Sequence, residues 1–309
     1  MRLIIDTDTA GDDVTALVLA AKAHGSPLAM VTIVGGNVPF EQQIQNALIT
    51  LETVTTRPVP VYAGCQKPLL RQVQHVTEIQ GADGMGGTDF PRAHSQLRSG
   101  HAVDGILKYL ARHPGEVVIV AIGPLTNIAL CALRNLEVLK SVKAVFAMGG
   151  TIEGHGNFTP AAEYNFWLDP DAARIVVQSG LPLTLVPWEV ALRDGALPRD
   201  VDERVQRLNT VCARLVQQAN RQARKHDMDQ WGAPGSVHPD ALTVAAALND
   251  AVIRQTSECY VDVETCSELT RGTLVVDWHG IQSLPPNARV IQSAQGAIFH
   301  DMLLAALEG

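Results

Sequence analysis

The sequence predicts an α/β protein: a mainly parallel central sheet covered by helices on both faces. Two observations carry this. Short β-rich apolar runs alternate with helix-period segments along most of the 309 residues, the rhythm that parallel sheets require. The apolar fraction is 46% with only 18% charged residues, so a chain of this length buries about three quarters of its unfolded surface without disulfides or metals. The balance of 24 Lys+Arg against 32 Asp+Glu gives a net charge of −8. That charge argues against nucleic acid or an anionic membrane as the main partner.

Leu3–Ile5 reads as a buried strand and Asp12–His24 as a helix that Gly25 can end. Leu28–Val34 is a second strand, stopped by Gly35-Gly36. In Phe40–Val54, Ile44, Ala47, Leu48 and Leu51 recur at three- and four-residue spacing, the apolar face of a helix. Val59–Tyr62, Val117–Ile122, Val142–Met148 and Pro182–Pro187 are further strand candidates with helical segments between them. Gln66–Ser99 is irregular and Gly-rich around Gly81–Gly87, which suggests a functional lid, although a bare flexible loop fits that run equally well. Arg199–Trp231 reads as one long polar helix, its Arg214, Arg221, Arg224 and Lys225 forming a solvated face. Cys259–Val263 and Thr273–Asp277 are late strands, and Ala297–Leu307 is a closing helix. No linker interrupts the series, so a single domain over residues 1–309 is expected.

Cys65, Cys131, Cys212, Cys259 and Cys266 are scattered and form no C-x-x-C pair, as in a reducing compartment. Met1-Arg2 leads into an apolar stretch too short for a signal segment, and no run has the length of a membrane span. The cytoplasm is the expected location.

The strongest local feature is Asp6-Thr-Asp8-Thr-Ala-Gly-Asp12-Asp13, four carboxylates between a buried strand and a helix. The carboxyl ends of parallel strands form the ligand-binding edge. Helix capping explains Asp12 and Asp13 but leaves Asp6 and Asp8 without a role. A divalent cation relieves the mutual repulsion most simply, and all-oxygen ligands select Ca²⁺ or Mg²⁺. A strand ending in Asp-x-Asp also suggests a haloacid-dehalogenase-type phosphatase, but Ala10 and the Asp12-Asp13 pair do not fit that pattern. No H-x-H, H-x-x-x-H, G-x-S-x-G or P-loop motif occurs.

The Asp6–Asp13 segment resembles the D-x-D-P-G-x-D-D signature of the nucleoside hydrolases. Further segments match that family in order: Gly35-Gly-Asn37, Ala63-Gly-Cys-Gln-Lys-Pro68, Gly84-Met-Gly86 and Gly123-Pro-Leu-Thr-Asn-Ile-Ala129. Met148-Gly-Gly150, Ala162-Glu-Tyr-Asn-Phe166 with Asp169-Pro170, Asp240-Ala-Leu and Leu269-Thr-Arg-Gly272 continue the series. The resemblance implies a Rossmann-like sheet and Ca²⁺-dependent hydrolysis of the N-glycosidic bond of ribonucleosides. It implies one Ca²⁺ per subunit on Asp8, Asp13, the carbonyl of Ile122 and Asp240, with Asp8 also the general base. Asp12, Asn37, Met148, Asn157, Glu163, Asn165 and Asp240 fall at its ribose-binding positions. A homo-oligomer, dimer or tetramer, is the associated expectation. With Asp6, the acids at 8, 12, 13 and 240 are expected to converge on one ion.

Two departures bear on the leaving base. Pro239 and Gln80 stand where the best-known branch of the family has histidines. His238, His226, Trp231 and Trp188 compete for the leaving-group role, beside Gln80. A ribose- or nucleoside-binding protein that lost turnover is the rival reading from another class. The preferred base stays open.

Overall fold

The computed structural model describes residues 1–25, 27–88 and 90–309. Its strands are β1 (Arg2–Thr7), β2 (Leu28–Ile33), β3 (Val61–Ala63), β4 (Val117–Ala121), β5 (Ala144–Met148), β6 (Leu183–Val186), β7 (Ile253–Val263), β8 (Leu274–Asp277) and β9 (Ala288–Ala294). They form a nine-stranded sheet in the order β3-β2-β1-β4-β5-β6-β9-β7-β8. The first six and β9 pair in parallel, whereas β7 is antiparallel to β9 and to β8. The expected α/β architecture is therefore present. The order reverses between β1 and β4, which opens a crevice beyond their carboxyl ends.

The helices are α1 (Gly11–Lys22), α2 (Phe40–Val54), α3 (Thr77–Gln80), α4 (Ala102–Arg112), α5 (Thr126–Leu139), α6 (Tyr164–Leu168) and α7 (Pro170–Val177). They continue with α8 (Trp188–Asp194), α9 (Arg199–Arg207), α10 (Val211–Ala219), α11 (Arg221–Gln230), α12 (Pro239–Leu248) and α13 (Gly296–Glu308). Strand alternation sorts the side chains into two cores. Leu3, Ile5, Val118 and Val120 pack with Val14, Leu17 and Leu303 of α1 and α13. Ile4, Val117 and Ile119 pack on the other face with Ile106, Ile128 and Ala173 of α4, α5 and α7. Both faces are covered, which is why β4 reads Val-Val-Ile-Val-Ala without a polar break.

Three expectations need correction. Arg199–Trp231 is not one helix but α9, α10 and α11. Thr210 starts α10 by accepting from Ala213 N, and the Asn220 side chain turns back to Val216 O and Thr15 Oγ1 between α10 and α11. Its basic residues are not all solvated: Arg224 pairs with the buried Asp202, and Arg221 Nη2 donates to Gly86 O. The late sheet holds a third strand, β9, that the apolar pattern did not reveal, and β7 begins six residues earlier than its predicted start. Among the described residues, no helix is long and apolar enough to cross a membrane.

The Gly-rich run is packed rather than bare. Gly86 has φ +72°, and a Cβ there would lie 2.2 Å from Gln218 O of α10, so both conformation and space demand glycine.

Candidate active site

The crevice at the β1/β4 reversal is where the acidic residues gather. Asp12 and Asp13 open α1, and Asp240 opens α12, the helix packed alongside it. One carboxylate oxygen of each lies within 4.8 Å of the others. Among the described residues, none of the three pairs with a Lys or Arg. Burial, then the charge of Asp12, pushes the Asp13 carboxyl up to about 8. Burial followed by the charges of Asp12, Asp13 and Asp8 raises Asp240 well above the usual carboxylate range.

Asp8 stands beyond the end of β1 and is not part of that tightest group. Its Oδ2 accepts from Asn37 N at 2.9 Å, while its buried Oδ1 has no hydrogen-bond partner among the described residues. Two glycines make room for it: a Cβ on Gly36 would lie 1.9 Å from Oδ2, and one on Gly123 2.8 Å from Oδ1. Asp13 is held by Thr7 Oγ1, Ala10 N and Asn37 Nδ2. Its bond to Ala10 N also caps α1, so capping and clustering coexist in one side chain. An orphaned buried oxygen beside unneutralised carboxylates is the environment a hard divalent cation satisfies. The donor set therefore fits a metal ion.

Asp6 does not join the group. It lies within β1, and its Oδ1 accepts from Thr32 Oγ1 and from Asn127 Nδ2 at 2.8 Å. Burial raises its carboxyl to about 7. Its role is to tie β1 to β2 and α5, outside the expected convergence of five acids.

One cavity is lined by Asp12, Asn37, Gln80, Ile122, Met148, Asn157, Glu163, Asn165, Trp188, His226, Trp231 and Asp240, all of which the sequence singled out. Asn165 Nδ2 donates to the carbonyls of Ile122 and Met148, at 3.1 and 3.3 Å, cross-linking the ends of β4 and β5. Glu163 caps α6 and accepts from Gly150, Asn165 and Phe166 N–H groups. Asn157 Oδ1 accepts from Tyr164 N, and Gln80 Oε1 from Gly11 N. Trp231 meets Trp188 edge-on at 5.7 Å and His226 at 6.4 Å, forming an aromatic cluster.

Three of the expected site residues do not line this cavity: Asp8 and Asp13, which lie behind it among the buried acids, and His238. The Nε2 of His238 faces Ser236 Oγ at 2.9 Å, and burial lowers its imidazole to about 4. A neutral ring turned towards Ser236 is not poised to protonate a base. Val76, Ile79, Phe158, Tyr164 and Asp227 line the cavity too and were not foreseen. Asp227 had a signal: four-residue spacing from Ala223 to Trp231 places it on the inward face of α11.

The cavity thus joins polar side chains and the acid cluster to an aromatic neighbourhood. The chain matches the family model described as "Inosine-uridine preferring nucleoside hydrolase" over residues 3–301. It is 34% identical over 307 residues to the pyrimidine-specific ribonucleoside hydrolase RihA of Shewanella sp. (strain ANA-3), covering 99% of this chain and 95% of that one. A solved plant nucleoside hydrolase superposes with a TM-score of 0.91 at 25% identity, covering 100% of this chain and 99% of the other. A purine-preferring ribonucleoside hydrolase from Gardnerella vaginalis gives a TM-score of 0.90 at 26% identity, with coverage of 100% and 98%. The chain belongs to the nucleoside hydrolase family and is a hydrolase acting on N-glycosyl bonds. That membership sets the phosphatase reading aside.

Proposed function

We propose that the protein hydrolyses the N-glycosidic bond of ribonucleosides, giving ribose and the free base, with Asp8 as the general base and Ca²⁺ as its ion. The observation that carries this reading is the unpartnered, buried Oδ1 of Asp8 beside the cluster of Asp12, Asp13 and Asp240. Asp8, Asp13, Asp240 and the carbonyl of Ile122 would hold the ion, with Asp12 close enough to share that role. When bound, the ion supplies positive charge that neutralises the acids and acidifies a neighbouring water.

The chain's own groups account for the rest. Cleavage develops oxocarbenium character on the ribose, which buried carboxylates stabilise. Asp12, Asn37, Asn157, Glu163, Asn165 and Asp240 satisfy the sugar hydroxyls, since each buried hydroxyl needs a partner. Asp8 takes a proton from the attacking water. Gly36 and Gly123, where a Cβ would collide with the Asp8 carboxylate, leave it the room this role needs. Trp188 and Trp231 offer stacking surface to the base.

The test is a panel of purine and pyrimidine nucleosides plus p-nitrophenyl riboside, assayed for released ribose with and without chelator. Chelation should abolish turnover and Ca²⁺ restore it. Asp8→Ala should lose at least about 10³-fold in kcat, in the range general-base removal gives. Binding of Ca²⁺ and ribose without any ribose release would instead make this a binding protein.

A further inference from the structure

Breaking a C–N glycosidic bond expels the base as an anion unless a group beside it supplies a proton, so the cavity must be searched for a free donor. Most of its titratable groups are already engaged. Both oxygens of Glu163 accept backbone N–H groups, and Tyr164 Oη donates to Gln74 O at 2.8 Å. Asp12 and Asp240 belong to the acid cluster. His226 and Asp227 remain, both lining the cavity at the end of α11.

We propose that Asp227 is the catalytic acid that protonates the departing nucleobase: it is buried against the cavity, its Oδ2 is fixed by Val237 N at 2.9 Å, and its Oδ1 has no hydrogen-bond partner among the described residues. The proposal rests on the hydrolysis inferred above. The Asp227 backbone carbonyl also accepts from Trp231 N and Ala233 N, so the acid and the aromatic wall are set by the same turn. Burial, with a smaller push from the charge of Asp12 on α1, raises the Asp227 carboxyl to about 7. At neutral pH it therefore holds a proton in a large fraction of molecules, as a general acid must. His226 moves the other way, because burial lowers it despite Glu78 on α3 and Asp229 on its own helix. The remaining charged groups around the cavity are Asp240 at the start of α12 and Glu163 before α6.

The step balances. The C–N bonding pair passes to the base, and the Asp227 proton goes to an acceptor atom of that base. Water oxygen bonds to the anomeric carbon, and its proton goes to Asp8. Exchange with solvent returns Asp8 to its carboxylate and Asp227 to its acid.

Asp227→Asn keeps the shape and the acceptor for Val237 N but cannot release a proton. On inosine and uridine it should lose about 10²-fold in kcat, the lower range for removing a general acid. On p-nitrophenyl riboside, whose leaving group departs unaided, it should lose no more than about threefold, because no acid is needed. The fall of wild-type kcat/KM on nucleosides above about pH 7 should vanish in the variant. Equal losses on both substrate classes would make Asp227 a structural residue and overturn the proposal, as would full turnover of nucleosides by the variant. Wild-type enzyme active on p-nitrophenyl riboside alone would overturn the Asp227 assignment only. Wild-type enzyme inactive on every riboside would overturn the reading of the site itself.

Discussion

Stripped of divalent cations, the protein should lose stability as pH rises from 6.5 to 8, and Ca²⁺ should cancel that loss. Asp13 sets the sign. Its carboxyl is raised to about 8 in the fold, against about 3.9 in an unfolded chain. The folded state keeps a proton that the unfolded state has released, so this contribution is complete below about pH 4 and disappears as pH passes 8. Over the chosen window Asp13 alone removes on the order of 1–2 kcal/mol. Asp8 and Asp240, also raised, act in the same direction, as do Asp6 and Glu163 at about 7, so the buried acids outnumber the opposing groups and set the sign. Three histidines oppose this in part: His238, lowered to about 4, and His226 and His300, also lowered by burial, hold their protons less well in the fold than in the unfolded chain, so they gain back some stability as pH rises from 6.5. Glu52, lowered to about 2, is ionised in both states and contributes nothing to the slope. At roughly 2 °C per kcal/mol for a chain of this size, Tm should drop by about 2–4 °C. Ca²⁺ at a hundredfold above its Kd adds about 2.7 kcal/mol. Because it binds the deprotonated acids, its effect should grow with pH. Differential scanning calorimetry with chelator and with excess Ca²⁺ measures both slopes, and Asp13→Asn should flatten the first. A chelated protein whose Tm stays level or climbs across this window refutes the electrostatic argument. So does a Ca²⁺ shift no larger at pH 8 than at 6.5.

Three further outcomes follow from named contacts. Gly36→Ala places a methyl 1.9 Å from Asp8 Oδ2; kcat on p-nitrophenyl riboside should fall about 10²-fold while Tm changes by only a few degrees, because displacing one catalytic group by an ångström costs that much. Arg224→Ala leaves Asp202 buried without its cation and loosens Ser236, which Asp202 also holds. With the arginine side chain 31% exposed, the cost is discounted to about 2 kcal/mol, read by urea unfolding, with KM for nucleosides rising alongside. Trp231→Ala should raise KM for nucleosides about tenfold, the size of one lost base stack, and leave inhibition by ribose unchanged.

The parts that were legible in the sequence share a physical cause. Strands buried on both faces must be apolar throughout, so β4 declared itself, whereas β9 carries half-exposed Arg289, Gln292 and Ser293 and did not. The acid run at Asp6–Asp13 announced a site, but counting carboxylates overassigned it. Asp6 still lies within β1 and spends its charge on Thr32 and Asn127, while Asp8 stands past the strand end. Asp240 is distant in sequence and reaches the cluster only because α12 packs on α1. Asp227 sits among polar neighbours such as Lys225, Asp229 and Gln230, which do face solvent, and only its four-residue spacing from Ala223 and Trp231 set it apart.

This difference between the two halves of the cavity has a consequence for specificity. On the proposed reading, the sugar half is built from strand ends and the helices they launch, positions fixed by the sheet itself. The base half comes from the Gln66–Ser99 segment, the start of α8 and the turn after α11, brought together only by packing. Apart from Gln80, which accepts from Gly11 N beside the acid cluster, the side chains of those segments are not part of the sheet or the cluster. A pyrimidine-specific enzyme and a purine-preferring one both align with this chain almost end to end. The expectation is that base preference follows the cavity residues at 79, 80, 188, 226, 227 and 231 rather than the fold. Exchanging those side chains for the ones a relative carries should move kcat/KM between purine and pyrimidine nucleosides while p-nitrophenyl riboside turnover stays within about fivefold, a change below the ~1 kcal/mol that separates a lost contact from a lost mechanism. If p-nitrophenyl riboside turnover collapsed together with nucleoside turnover, the two halves would not be separable.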